Sequence, residues 1–567
     1  MIVLFALIAI NSLFLPINGI LFPIEYRLPL EGRVPDPGSP WPLPQKWIKS
    51  NETLTLDPKG FRFEANMVSC DVLINGMKRY RDIIFIDQRS VKSTTLPVLK
   101  SVYIDVHNIN DCGYPEHNNN ETYSIDISNN SVAKITSVTV WGALRALETF
   151  SQLVYQNDIT KETLVNITSI HDFPRFSFRA MHMDTARHFI PKKVILANLD
   201  AMAYNKFNVF HWHIIDDQSF PFESHRFPEL TKKGAYSPRH VYTQRDVLEI
   251  IEYSRMRGIR VIPEIDTPGH THAMGKAFPE LLTPCYGQKG KPYTPDYPHF
   301  SSMELINPLK NQSFSFIKEL FQEFRNLFKD DFVHLGMDEV FYGCWESNPD
   351  ISKFMKDNNM TKVSEVEDYY VKRTLENVKD LGYKTMLWQD PVDNGVKLAN
   401  GSIVVIWKDK RLDKELDLWQ NYATKIAKNG QQMVLSACWY LNYISTPYPD
   451  QDWEKFYLCD PGHFNGTEEE KKLVIGGEVC IWSEFVDATN ILSRLWPRAS
   501  STAERLWSNS NDTQDVNTAR HRLDQHRCRL LRRGIPAAPI LNGYCGDYEW
   551  DMNNQEKLID LGDRVRL

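Results

Sequence analysis

The sequence has no surplus of positive charge: 65 Lys and Arg stand against 72 Asp and Glu, for a net charge of −7. That balance excludes a nucleic-acid surface built on bulk electrostatics. Beyond its first residues the chain also lacks any apolar run near the ~20 residues that a membrane helix requires. Cysteine is sparse. Nine in 567 residues are too few for a scaffold built on disulfides, and the odd number leaves at least one thiol unpaired. What the chain has in quantity is aromatic surface: 24 Tyr, 29 Phe and 14 Trp. Such rings bring large apolar faces to cores and to ligand sites.

Met1 to Ile24 contains no charged residue. The apolar run to Leu15, broken by Pro16 and followed by Ile17-Asn18-Gly19, predicts a signal peptide over 1–19 and entry into the secretory pathway. Nine N-x-S/T sequons then become candidate glycosylation sites: Asn51, Asn120, Asn129, Asn166, Asn311, Asn359, Asn400, Asn465 and Asn511. In an oxidising compartment the order of the cysteines pairs Cys70 with Cys112, Cys285 with Cys344 and Cys528 with Cys545. Cys438 and Cys480 sit in apolar, strand-like runs and are expected to be buried thiols. The arginines at 527, 529, 532 and 533 are expected to form a solvated or ion-paired face.

Within residues 20–172, a proline-rich arm (Pro35 to Pro44) is followed from about 45 to 170 by short apolar strands alternating with a helical run at Trp141 to Val154. We read this part as a small α/β accessory domain with an antiparallel sheet. From about 176 the rhythm changes. Strand-like runs recur at Phe178–Asp184, Val209–Ile215, Ile259–Ile265, Phe332–Met337, Thr385–Trp388, Ile403–Trp407, Met433–Cys438 and Val474–Trp482. Helical periodicity fills the gaps, as at Val194–Tyr204, Val247–Met256, Phe316–Phe328 and Val366–Val378. Eight β/α units predict a TIM barrel, a (β/α)8 fold, over 173–545, followed by a tail at 546–567.

A barrel of this kind keeps its chemistry at the carboxyl ends of its strands. Reactive residues do gather there: Asp184 to His188, His211-Trp212-His213 with Asp216, Glu264 to His272, Asp338-Glu339, Trp388, Trp407, Trp439-Tyr440-Leu441-Asn442 and Trp482-Ser483-Glu484. Four tryptophans at successive strand ends predict a cup with aromatic walls. The adjacent carboxylates of Val333-His334-Leu335-Gly336-Met337-Asp338-Glu339 are an acidic pair of the type that glycosidases use, one proton donor and one stabiliser of positive charge.

These strings carry a resemblance. Asp172-Phe173-Pro174-Arg175-Phe176, Leu199 to Lys206, Asn208 to His213 and Ala503 to Ser508 resemble the catalytic domain of family 20 glycoside hydrolases, the β-N-acetylhexosaminidases, most of all the lysosomal α/β-subunit type. The resemblance implies a retaining exo-enzyme that removes terminal β-linked GlcNAc or GalNAc. The substrate's own 2-acetamido oxygen attacks the anomeric carbon and forms an oxazolinium, so the family stands outside the usual rule of two enzyme carboxylates. On this likeness Asp338 orients the acetamido group and Glu339 is the general acid and base. Tyr440 binds the acetamido carbonyl, and Trp388, Trp407 and Trp482 wall its methyl group. Arg187 and Glu484 hold the ring hydroxyls, Asn442 lies in the substrate site, and Asp216 with His270 tunes Glu339. Asp338 then has to stay ionised while Glu339 keeps its proton, so their surroundings are expected to separate their pKa values. The resemblance also implies a homo- or heterodimer in the lysosome, with secretion as the variant, and needs no metal and no cofactor.

Two departures stand out. Met337 occupies the place of a glycine usual in the family, and strand alternation is expected to aim it away from Asp338. Positions 442–443 read Asn-Tyr, so Asn442 removes a carboxylate that would repel anionic substrates while Tyr443 brings no cation. A metal-dependent hydrolase built on His211, His213, His270 and His272 is the main rival; it is disfavoured because no carboxylate or lysine bridge is evident among those imidazoles. A catalytically silent glycan-binding protein is disfavoured because Asp338, Glu339 and Tyr440 are all present, and a secreted enzyme trimming chitooligosaccharides is a variant of the main reading.

Overall fold

The computed structural model describes residues 36–86, 96–157, 160–286, 305–398, 401–443 and 452–546. The expected signal peptide, Asn400 and nearly all of the 546–567 tail lie outside them. The first sheet contains β1 (Lys46–Leu56), β2 (Arg62–Ala65), β3 (Val98–Leu99), β4 (Ser101–Val106), β5 (Tyr123–Ile127), β6 (Val132–Ser137), β7 (Tyr155–Gln156) and β8 (Thr163–Asp172). Its order is β2-β4-β6-β5-β8-β1-β3, with β7 on β8. The sheet is mixed rather than antiparallel: β2-β4-β6 and β1-β3 run parallel, and β6-β5-β8-β1 antiparallel. The helix Asp71–Ile84 is the crossover that makes β2 and β4 parallel, while β6 reaches its place beside β4 by way of β5.

The helix Val140–Leu153 is buried along its whole length, because it lies between this sheet and the second unit. Its polar side chains are therefore all committed, as burial demands. Arg145 binds Glu121 at 2.7 Å and donates to the Gly258 carbonyl at 2.8 Å. Glu148 takes Arg533 at 2.8 Å, and Gln152 takes Arg529 at 2.9 Å. The C-terminal arginines thus fasten the helix Val516–Arg532 back onto the first unit.

The second unit is a closed, all-parallel barrel of β9 (Phe178–Asp184), β10 (Val209–His213), β11 (Arg260–Glu264), β12 (Phe332–His334), β13 (Lys384–Trp388), β14 (Ile403–Ile406), β15 (Gln432–Leu435) and β16 (Val474–Ile481). Helices Lys192–Tyr204, Gln244–Arg255, Asn311–Leu327, Ser364–Asp380, Trp419–Lys428 and Arg498–Trp507 surround it. Among the described residues, the connection from β13 to β14 carries only the four-residue helix Asp390–Asp393. Alternation along each strand sends one side chain outward to the helices and the next inward. The lower interior is apolar, with Phe178, Ala180, Val209, Ile262, Phe332, Met386, Ile403, Val405 and Val434 in one cluster. One layer up it becomes polar: His182, His211, His213, Glu264, His334 and Glu478, each no more than 1 % exposed.

Four disulfides occur among the described residues. Cys70–Cys112, Cys285–Cys344 and Cys528–Cys545 are three of them. The fourth overturns the expectation of a buried thiol at Cys438, which joins Cys459 across a Cα–Cα distance of 6.3 Å. Strand β15 ends at Leu435, so Cys438 belongs to the loop above the barrel, within reach of the segment that follows helix Asp452–Leu458. Cys480 is the free, buried cysteine. Asn51, Asn120, Asn129, Asn311, Asn359, Asn465 and Asn511 are exposed. Asn166 is not: it is buried on β8, and its amide donates to the Ser50 carbonyl at 2.9 Å. Its burial and this bond set Asn166 apart from the seven exposed sequon asparagines.

Candidate active site

Strand β12 ends at His334, so the acidic pair does not lie on a strand. Gly336, Met337 and Glu339 have φ of +67°, +72° and +50°, a left-handed turn that costs non-glycine residues energy. A side chain at Gly336 would bring its Cβ within 1.7 Å of Asp266 Oδ1, which makes glycine a steric requirement. Met337 tolerates the backbone because its N–H is held by Asp266 Oδ1 at 2.9 Å and its side chain is buried among the outer-layer apolar residues. Turn geometry, not strand alternation, aims it away from Asp338. The following helix starts at Tyr342 and is capped at Phe341, which leaves both carboxylates free of capping duty.

The pair opens onto a cavity of about 630 Å3 above the barrel. Arg187, Trp388, Trp407, Tyr440, Asn442, Trp482 and Glu484 line it with Asp338 and Glu339. Arg187 lies 4.9 Å from the Trp482 ring centre and is fixed by Asp184 at 3.3 Å and Asp216 at 2.8 Å. The Trp388 and Trp482 rings are 5.9 Å apart, and Tyr440 stacks on Tyr443 at 6.1 Å. Trp407 is oriented by its ring N–H, which donates to Asp390 at 2.7 Å. Only three of the four strand-end tryptophans form walls. Trp439 turns outward, is fully buried and donates to the Phe456 carbonyl at 2.9 Å.

Asp216 and His270 sit behind the cavity wall. His270 Nδ1 is 3.2 Å from Asp216, and its Nε2 is 3.4 Å from Glu339 and 4.0 Å from Asp338. His270 also has a left-handed backbone, φ +56°, another strained residue at the centre of the site. His272 does not join the group; its backbone N–H goes to Asp217 at 2.8 Å. The imidazoles are not without carboxylates, as their sequence setting implied. His213 alone contacts Glu264 at 2.6 Å and Asp216 at 2.7 Å.

The electrostatics separate the pair, but in the opposite order to the one expected. Burial pushes Asp338 up to about 7, with His270 pulling against it. The hydrogen bond to His270 pulls Glu339 below the usual carboxyl range, and burial opposes it. The cause is placement. Asp338 is enclosed beside Asp266, itself raised well above its ordinary value by burial and then by Asp338. Glu339 has a side chain that is 59 % exposed and reaches an imidazole. Burial disfavours charge on His270, yet Asp216 and Asp266 hold its pKa well up. Asp216 is kept far below its usual range, since Arg187 and His270 outweigh its burial.

The sequence places Asp266 at a strand end without a role, and gives no sign of Asp390, Arg494 or Phe485 as members. Asp266 shares its surroundings with Asp338, and Asp390 accepts from the Glu339 N–H at 3.4 Å. Arg494 lines the cavity and donates to the Asn442 carbonyl at 3.1 Å, while Phe485 lies at the rim with 85 % of its surface exposed. Asp266 was legible at a strand end; Arg494 comes from a helix beyond the last strand and had no such signal.

A family model described as "Glycosyl hydrolase family 20, catalytic domain" matches residues 176–510, and "beta-acetyl hexosaminidase like" matches residues 40–153. Among curated relatives, beta-hexosaminidase subunit beta of Felis catus is 44 % identical over 521 residues, 90 % of this chain and 94 % of that one. Beta-hexosaminidase subunit alpha of Mus musculus is 42 % identical over 517 residues, 89 % and 94 % of the two chains. Among solved structures, a chitobiase of Flavobacterium johnsoniae superposes with a TM-score of 0.75 at 28 % identity, covering 87 % of this chain and 73 % of that one.

Proposed function

Because the chain belongs to glycosyl hydrolase family 20 and is an exo-β-N-acetylhexosaminidase, we propose the following division of labour among its residues. Asp338 receives the acetamido N–H of the bound sugar and steadies the oxazolinium as it forms. Glu339 gives its proton to the departing oxygen and then takes one from water, which retains the anomeric configuration. Tyr440 donates to the acetamido carbonyl, and Trp388, Trp407 and Trp482 enclose the methyl group. Arg187 and Glu484 bind ring hydroxyls, with Asn442 beside them. The observation that carries this reading is the left-handed turn that aims both carboxylates into a tryptophan-walled cavity, with His270 Nε2 3.4 Å from Glu339.

The sugar itself would reverse the order of the two pKa values. An N–H donated to Asp338 favours its charged form, and a ring covering Glu339 removes water and favours the neutral acid. Hydrolysis of an aryl N-acetyl-β-glucosaminide beside the matching aryl β-glucoside tests the reading. Cleavage of the first alone is expected, and cleavage of both would require an enzyme nucleophile instead.

The relatives are named as subunits, and with them this chain is read as half of a homo- or heterodimer that acts on glycans. We assign it to the lysosome through the secretory pathway; no described helix is long and apolar enough to cross a membrane. The exposed sequons, Cys70–Cys112 and the other disulfides support that route. An N-terminus beginning near residue 20 in the mature protein is the expected result of sequencing it.

A further inference from the structure

Glu264 is at the top of β11, fully buried, with no path to a bound sugar, yet two lines of contact lead from it to the cavity. Its Oε1 accepts the ring N–H of Trp388 at 2.9 Å, which fixes the wall of the acetamido pocket. Its Oε2 is 2.6 Å from His213 Nδ1. His213 Nε2 is 2.7 Å from Asp216, Asp216 is 3.2 Å from His270, and His270 is 3.4 Å from Glu339. Glu478, on β16 three strands round the barrel, is equally buried and also meets an imidazole, His211 at 3.0 Å. It does not line the cavity. His211 Nε2 is in turn 3.1 Å from Glu264, so Glu478 stands one imidazole further from the site, while Glu264 meets both Trp388 and His213 directly.

We propose that Glu264 is a positioning residue that sets two parts of the reaction at once, the acetamido pocket through Trp388 and the proton-transfer group through His213, Asp216 and His270. His213 bridges two carboxylates through both ring nitrogens, so it donates at each end and keeps Asp216 turned toward His270. A carboxylate is needed at 264 because it accepts on both oxygens at the same time. An amide of the same shape would present a donor to either Trp388 or His213, which both donate to it, leaving a buried group unpaired.

This inference rests on the roles given to Glu339 and Trp388. The test is a set of variants assayed with an activated aryl glycoside, a poor-leaving-group glycoside and a thiazoline mimic of the intermediate. Glu264→Gln should lose about 10²-fold in kcat/KM on the poor leaving group, the effect of a misplaced reacting group. It should lose less on the activated substrate, and bind the thiazoline about tenfold more weakly, the cost of one unpaired buried donor. Glu478→Gln should stay near the parent in all three assays. If Glu264→Gln does not fold, the branches are tested apart. Trp388→Phe should weaken thiazoline binding without new leaving-group sensitivity, and His213→Gln should do the reverse. The proposal is overturned if folded Glu264→Gln matches Glu478→Gln, or if the two branches fail to separate. Glu339→Gln run alongside distinguishes the deeper failure: equal losses on both glycosides there would remove the acid role itself.

Discussion

The barrel interior has two levels, and Ile262 and Glu264 of β11 show the contrast on one strand. They are two residues apart and point the same way, yet Ile262 packs among Phe178, Ala180, Val209, Phe332 and Met386 while Glu264 meets His182, His211, His213, His334 and Trp388. The lower level stabilises by removing apolar surface from water. The upper level contributes little net stability, since desolvation of buried ions offsets most of their attraction. What it supplies is direction. Glu264 holds Trp388 and His213, and His213 holds Asp216, and the cavity above inherits that order.

The sharpest way to break this division is at the top. Glu339→Gln should lower turnover of a poor leaving group by about 10²–10⁴-fold, the range of general acid catalysis, with a much smaller loss on an activated aryl glycoside. Ile262→Ala should do the opposite. It should cost about 2–5 kcal/mol by cavity formation, seen as a lower denaturation midpoint, while kcat per folded molecule stays unchanged. If it impaired catalysis as Glu339→Gln does, the two levels would not be functionally distinct.

A weaker effect is expected from pH. His213 is raised from 6.5 to about 10, because Glu264 and Asp216 outweigh the burial that disfavours its charge. Its contribution is complete below pH 6.5 and is lost as pH rises through 10. Asp338 is raised from 3.8 to about 7, so its ionisation in the folded state also removes stability as pH climbs from about 4 to 7. Asp216 and Glu264 are depressed and act only at the acid end, below about pH 4, where their protonation is destabilising. Burial lowers His182 and His334 of the same level, which pulls the other way below about pH 6.5, so the window to test lies above it. Tm should fall from pH 7 to pH 10, and a Tm unchanged across that window would contradict the charge assigned to His213. The smallest effect belongs to Cys480, whose thiol faces Glu478 Oε1 at 3.7 Å. Cys480→Ser should change stability by about 1 kcal/mol or less, because the hydroxyl finds the same acceptor. A loss as large as that of Ile262→Ala would show that this level behaves as apolar core.

The lower level was legible in the sequence because buried parallel strands are continuous apolar runs, as at Ile403 to Ile406 or Phe332-Val333. The strand-end residues were legible by position along those runs. The fourth disulfide was not, since Cys438 has the look of a strand residue and its partner Cys459 lies 21 residues on, just after helix Asp452–Leu458. Trp439 and Trp482 look alike in sequence, and only the end of β15 at Leu435 decides that one faces the core and the other the cavity. Asn166 has a sequon as good as Asn51, and burial on β8 alone separates them.

By itself the sequence determined the eight-stranded barrel and the acidic pair, because each is written in local runs and periodicity, and it carried the family through the resemblance of its motif strings. Tertiary structure alone decided the left-handed turn at Gly336 to Glu339, the pKa order of Asp338 and Glu339, and the place of Glu264 between two branches of the site. Those depend on distances between residues tens or hundreds of positions apart, and such distances exist only once the barrel has closed.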